Sequence, residues 1–232
     1  MAPEESISPG LIEKGRRVNE RLLDFYGRPI WHVPLQPLEE LVSTILSQNT
    51  NDRNRDLAFS ALRARFPTWE EVRDADPAAV VDAIRPAGLA NTKGPRIQAV
   101  LRQITEERGA LDLDFLRDLP SEEAHAWLLR FRGVGPKTAA IVLQFALDRP
   151  AFPVDTHIYR VTGRLGLRPS KMNVEQAHLH LAQLFPPKDY GPAHLNLIRL
   201  GRELCHPRKP ECQRCPLNDL CDFYQRLNSG DD

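Results

Sequence analysis

Lys137 stands directly after the turn Gly133-Val134-Gly135-Pro136, and Asp155 follows eighteen residues later in Val154-Asp155-Thr156-His157. Four cysteines, Cys205, Cys212, Cys215 and Cys221, fall within the last 28 residues. These groups cover three kinds of chemistry. A neutral lysine amine is a nucleophile able to form a Schiff base, which arginine is not, because it stays protonated in proteins. A carboxylate stabilises a developing positive charge. Clustered thiolates in a chain with no secretion signal favour a metal site over disulfides. Only six of the 31 basic residues are lysines. Arginine therefore serves the general surface, and a lysine inside a motif stands out.

The lysine is useful only if its neutral form is accessible. An ordinary lysine is uncharged in only about one molecule in 2,500 at pH 7. Position in the first turn of a helix lowers its pKa, because the helix dipole there disfavours a cation. Lowering it by about three pH units takes roughly 4 kcal/mol, more than a helix terminus supplies, so partial burial is expected to contribute. On position alone Lys137 reads equally as an exposed surface lysine. The turn before it has its own chemistry. Two glycines one residue apart let the backbone bend tightly and approach a ligand, and Pro136 suits a first helical position. The unpaired N–H groups there form a site for a phosphate oxygen, a grip on DNA backbone that reads no sequence. A plain tight turn between helices is the other reading.

Asp155, close after Pro153 and ahead of an amphipathic run, sits where a helix N-cap belongs. Capping uses one carboxylate oxygen and leaves the other for chemistry. The cysteine spacing, six, two and five residues between successive ligands, holds only one close pair where zinc sites usually show two. Spacing alone leaves an iron–sulfur cluster and zinc both open.

The elements that must position these groups are helices. Apolar residues recur at helical spacing, as in Leu38, Leu41, Val42, Ile45 and Leu46, and the pattern predicts helices over 11–26, 37–48, 53–65, 77–84, 94–108, 121–131, 136–147, 156–166, 173–184 and 190–204. Proline and glycine signals separate them, and no alternating β-branched run stands out, so the expected fold class is all-α. With 31 acidic and 31 basic residues the net charge is zero, so a polyanion would have to be held by a local patch. No apolar run is long enough for a membrane span and no signal peptide is visible, which places the chain in the cytoplasm, nucleoid-associated if it binds DNA. The polar end, 226–232, is expected to be disordered.

The string Phe131 to Val142 resembles the helix-hairpin-helix of the endonuclease III family, with Lys137 at the catalytic lysine. Val154-Asp155-Thr156-His157 resembles its second motif, and C-x6-C-x2-C-x5-C its 4Fe–4S signature, on Cys205, Cys212, Cys215 and Cys221. Leu46-Ser47-Gln48-Asn49-Thr50-Asn51-Asp52 is similar to the family's Leu-Ser-Ala-Gln-Ala-Thr-Asp loop, whose glutamine fills the gap left by an extruded base. Aligned on Ser47 and Asp52, that position carries Asn49, with Gln48 one residue early. Gly88-Leu89-Ala90-Asn91-Thr92-Lys93 resembles the loop whose leucine wedges between bases; the alternative for Leu89 is packed core. Arg132 replaces a proline usual in the family, and either adds a phosphate contact or loosens the turn.

The resemblance covers about residues 11 to 225. It implies two helical lobes with a DNA cleft between them: a six-helix barrel with the hairpin over 30–149, and a smaller iron–sulfur cluster domain from 1–29 plus 150–225. It further implies a bifunctional DNA glycosylase/AP lyase of base excision repair, acting as a monomer on double-stranded DNA with damaged bases or abasic sites. Lys137 and Asp155 are the implied catalytic pair, and oxidised pyrimidines the implied substrates. The expected DNA contacts are Gln48, Asn49, Asp52, Leu89, Lys93, Arg132, Gly133, Val134, Gly135, Arg208 and Lys209, with His157 either a phosphate contact or polar surface. The alternatives are a mismatch or oxidised-purine glycosylase, and a non-catalytic module that binds damaged DNA.

Overall fold

The computed structural model describes residues 7–29 and 35–229, and all regular structure among them is helical, as the periodicity predicts. In chain order the helices are α1 (Pro9–Tyr26), α2 (Pro37–Ser47), α3 (Asp52–Arg65), α4 (Trp69–Asp74), α5 (Pro77–Ala83), α6 (Ala90–Arg108), α7 (Ser121–Leu129), α8 (Pro136–Ile141), α9 (Thr156–Arg164), α10 (Val174–Ala182), α11 (Tyr190–Glu203) and α12 (Asp222–Ser229). They divide into two compact units, Val33–Arg149 and Met1–His32 with Pro150–Asp232. The expected boundary at residue 30 lies outside the described residues. No helix among the described residues is long and apolar enough to cross a membrane.

Several boundaries follow from caps. Pro9, Pro37, Pro77 and Pro136 open helices, where a fixed φ helps and a missing N–H loses nothing. Asp76 caps α5 by accepting from Ala78 N at 2.8 Å, and Gly27 and Gly109 end α1 and α6 at positive φ. The short α4 lies outside the ten predicted helices. Its signal is a capping box, with Thr68 Oγ1 accepting from Glu71 N at 3.2 Å and Glu71 Oε2 from Thr68 N at 3.0 Å. α6 starts four residues ahead of the predicted 94 and carries Pro95 in its second turn, where the missing N–H leaves the carbonyl of Asn91 without its helical partner.

In the unit Val33–Arg149, α2 is buried along nearly its whole length and packs against α3, α6 and α8. Leu41, Val42, Ile45 and Leu46 of α2 and Ile97, Leu101 and Ile104 of α6 are all sealed from water. α8 runs on through a single π-helical turn, Val142–Ala146.

In the other unit α11 packs on α9 and α1. Val18, Leu22, Ile158, Val161, Leu197 and Leu200 form its core, with the rings of Phe152 and Phe185 stacked at 4.9 Å. Cys205, Cys215 and Cys221 lie against this core. The expected disordered tail begins too early: residues 226–229 continue α12. That helix is pinned at its start by Lys14 on Asp222 at 2.5 Å and by Arg164 over the Phe223 ring at 4.7 Å. Residues 230–232 lie outside the described residues.

Candidate functional site

The turn between α7 and α8 hangs from an aromatic stack. Phe131 is buried, edge-on to Trp127 at 4.8 Å, and Trp127 is edge-on to Phe115 at 5.0 Å. Val134 is buried too, its N–H on Phe131 O at 3.0 Å. Its side chain is therefore turned inward, and its backbone is the part left for a ligand. Gly133 sits at φ +85°, open to glycine at no steric cost. Gly135 sits at φ −102°, ψ 179°, ordinary extended backbone, with no atom within 4 Å of where a Cβ would stand. The two glycines thus differ in kind: the fold demands Gly133 and does not demand Gly135.

Lys137 lies in the first turn of α8, whose leading N–H groups have no partner within the helix. Contrary to the expected partial burial, it is exposed. The helix presents it outward, so any desolvation of this amine has to come from the molecule it meets. Arg132, also exposed, and Lys137 have no ion-pair partner among the described residues.

The two loops read as base-displacing elements carry an exposed residue each. Asn49 is exposed at φ +53° and Leu89 is 58% exposed at φ +50°. The packed-core alternative for Leu89 is excluded. Left-handed backbone costs a residue such as leucine roughly 1–2 kcal/mol, whereas asparagine adopts it more readily. Asp52 is exposed and lies 3.5 Å from Arg55, in the first turn of α3 where a carboxylate favours the helix dipole.

Of the expected DNA contacts, Lys93 is instead internal, and Gln48 is half-buried with its amide bonded to protein groups. Lys93 is 1% exposed, and its Nζ donates to Leu46 O and Ala87 O, both at 2.8 Å. It ties the end of α2 to the segment before Gly88-Leu89, fixing the roots of both loops. Burial, and next the nearby Arg96, hold its pKa below the usual lysine range. Gln48 donates from Nε2 to Gly133 O at 3.0 Å and accepts on Oε1 from Arg96 Nη1 at 2.8 Å. Both of its amide ends are engaged by protein groups. Arg96 carried no motif signal in the sequence, yet it lies at the hairpin.

In the other unit Asp155 caps α9, accepting on Oδ1 from Ile158 N at 2.8 Å. It is partly exposed, and the cap leaves Oδ2 uncommitted. His157 is neither free surface nor a lone cation: its Nδ1 meets Arg160 Nη2 at 3.2 Å and its Cβ packs on Gly201.

The four cysteines line one pocket, with Arg164, Leu204, Phe223 and Tyr224 among its walls. Cys205 follows α11 with its N–H on Leu200 O at 2.8 Å, and Cys215 closes the turn from Cys212 with its N–H on Cys212 O at 3.2 Å. Arg164 donates to Cys205 Sγ at 3.3 Å, to His206 O at 2.6 Å and to Pro207 O at 2.9 Å. Burial pushes the Cys215 thiol up to about 11, with the other thiolates adding to the effect, and burial likewise raises Cys212 and Cys221. Four thiolates in one apolar pocket are therefore held only with a strongly cationic partner. Four thiols in one pocket are a donor set that fits an iron–sulfur cluster. Arg208 and Lys209, between the first two cysteines, are exposed, Lys209 at φ +52°.

The family model for HhH-GPD superfamily base excision DNA repair proteins matches residues 42–187, and that for the iron-sulfur binding domain of endonuclease III matches residues 205–221. The chain is 34% identical over 200 residues to endonuclease III of Thermotoga maritima, covering 86% of this chain and 89% of that protein. It is 35% identical over 186 residues to endonuclease III of Sulfolobus acidocaldarius, covering 79% and 81%. A solved structure of a trapped endonuclease III–DNA covalent intermediate superposes with TM-score 0.79 at 25% identity, covering 96% of this chain and 99% of that one. With these likenesses joined to the hairpin, the capped aspartate and the four thiols, the chain belongs to the endonuclease III family of HhH-GPD base excision DNA repair glycosylases and carries the family's iron–sulfur cluster.

Proposed function

We propose that the chain is a bifunctional glycosylase/AP lyase that removes oxidised pyrimidines from double-stranded DNA, working as a monomer. The observation that carries this reading is Lys137: one of six lysines, exposed, directly after the glycine turn and without a carboxylate partner among the described residues.

In this reading the backbone of Gly133 to Gly135 and the first turn of α8 hold a DNA phosphate, while Arg132, Arg208 and Lys209 add charge contacts and His157 lies near the backbone. Asn49 and Leu89 occupy the space left by an everted nucleotide. The left-handed backbone at Leu89 is strain of the kind that collects at functional loops. Cys205, Cys212, Cys215 and Cys221 hold a 4Fe–4S cluster that braces the Arg208–Lys209 loop. DNA packed over Lys137 supplies the desolvation the free protein lacks, favouring the neutral amine. The amine attacks C1′ as the bond to the base breaks, and Asp155 stabilises the positive charge that develops on the sugar. The base leaves with the proton that the amine loses, and the C1′–O4′ bond then opens with a solvent proton taken up by O4′, leaving the sugar held as a protonated imine. Loss of a C2′ proton then expels the 3′ phosphate.

Borohydride trapping tests this with a thymine-glycol duplex and an abasic duplex. The expected result is a covalent adduct on both, lost in Lys137→Gln. Trapping or excision confined to mismatched or oxidised-purine duplexes would move the substrate class, and tight binding without any adduct would make the chain a binding module.

A further inference from the structure

The Arg96 side chain is laid across the hairpin turn. A Cβ on Gly133 would fall 2.2 Å from Arg96 Nε, 2.4 Å from Cδ and 2.5 Å from Cζ. The missing side chain at Gly133 therefore makes room for a guanidinium, in addition to permitting its positive φ. One donor, Nη1, is held by Gln48 Oε1 at 2.8 Å, and the same amide returns to the turn through Nε2 on Gly133 O at 3.0 Å. Gln48 thus closes a ring from the loop of Asn49, through Arg96 on α6, to the hairpin. The group is only partly exposed and, among the described residues, pairs with no carboxylate.

A guanidinium offers five donors in a rigid fork suited to phosphate oxygens, and one of the five is used here. Arg132 on the turn is exposed and, among the described residues, also lacks a carboxylate partner. In a chain of zero net charge, this is a local positive field at the hairpin, where a polyanion must be held.

We propose that Arg96 is a DNA-phosphate contact of the hairpin and that Gln48 is its positioning residue, set by its amide rather than inserted into DNA. The proposal rests on the reading of the hairpin as the backbone grip. Removing Arg96 takes away one counterion-displacing contact, and removing Gln48 lets the guanidinium leave the turn.

Binding to a duplex with a tetrahydrofuran abasic analogue, followed by fluorescence anisotropy across a salt series, tests it. Arg96→Gln should weaken binding about tenfold at low salt and reduce the slope of log affinity against log salt by about 0.9. Arg96→Lys should keep the slope. Gln48→Leu should weaken binding in the wild-type background and have little further effect on top of Arg96→Gln. An unchanged slope in Arg96→Gln overturns the phosphate contact, and equal costs for Gln48→Leu in both backgrounds overturn the positioning role. Gly135→Asp separates these failures from that of the underlying reading. It puts a carboxylate into open space at the turn, and if it leaves affinity and slope intact, the hairpin itself is not the grip.

Discussion

Methionine in place of Lys93 decides whether that residue meets DNA or builds the surface that does. Lys93 is 1% exposed with two 2.8 Å bonds to Leu46 O and Ala87 O. Methionine keeps most of the stem's apolar packing and removes the ammonium. Each carbonyl left bare in the interior costs about 1–3 kcal/mol. Relief from burying a cation returns part of that, as the lowered pKa of Lys93 indicates. The net loss is roughly 2–4 kcal/mol, a fall of about 1–2 M in the urea midpoint at an m-value of about 2 kcal/mol/M. Because the same bonds root the Asn49 and Leu89 loops, affinity for an abasic-analogue duplex should fall while its salt slope stays that of wild type. An unmoved midpoint together with a slope flattened by about 0.9 would refute the reasoning and return Lys93 to the DNA surface.

Glu40 is 5% exposed, bonded from Thr44 Oγ1 at 3.2 Å, and burial raises its pKa from the ordinary 4.5. The native state then holds more protons than the unfolded chain above that value, so wild-type stability should fall as pH rises through the window upward from 4.5. Glu40→Gln keeps the acceptor and should remove that fall, seen as a higher urea midpoint at pH 7 and no gain at pH 4. Lys209→Ala should flatten the salt slope of binding by about 0.9. Gly133→Ala should cost about 1–2 kcal/mol from backbone alone and displace Arg96, read as a lowered thermal midpoint with weaker DNA binding. Cys215→Ser should reduce the iron bound per protein and expose the segment 205–221 to proteolysis.

The elements were legible because their boundaries are written locally. Proline at first positions, Asp155 and Asn173 as caps and Gly109 as a stop all act within four residues. α4 and α12 escaped because a short capped helix has little room for periodicity, and because α12 is held by Arg164 and Lys14, far away in sequence. The motif residues were legible by type, but not their environment. Lys93 and Gln48 look like DNA contacts within their own loops. Their partners lie 47 residues away at Leu46 and 85 residues away at Gly133, a relation no local pattern encodes. Arg96 shares the face of α6 that carries Lys93, and only the turn it crosses gives it meaning. Lys137 ran the other way: its chemistry requires a dry amine, and the helix exposes it.

Gly135, alone among the residues of the grip, could be enlarged without the fold objecting. Its φ of −102° is open to alanine, serine or valine, and empty space surrounds the position a side chain would take. A graded set of substitutions there works as a feeler gauge: folding stability stays level while affinity for DNA drops at the size that first touches the bound strand. The step in that series measures how near the phosphate comes, from solution data alone.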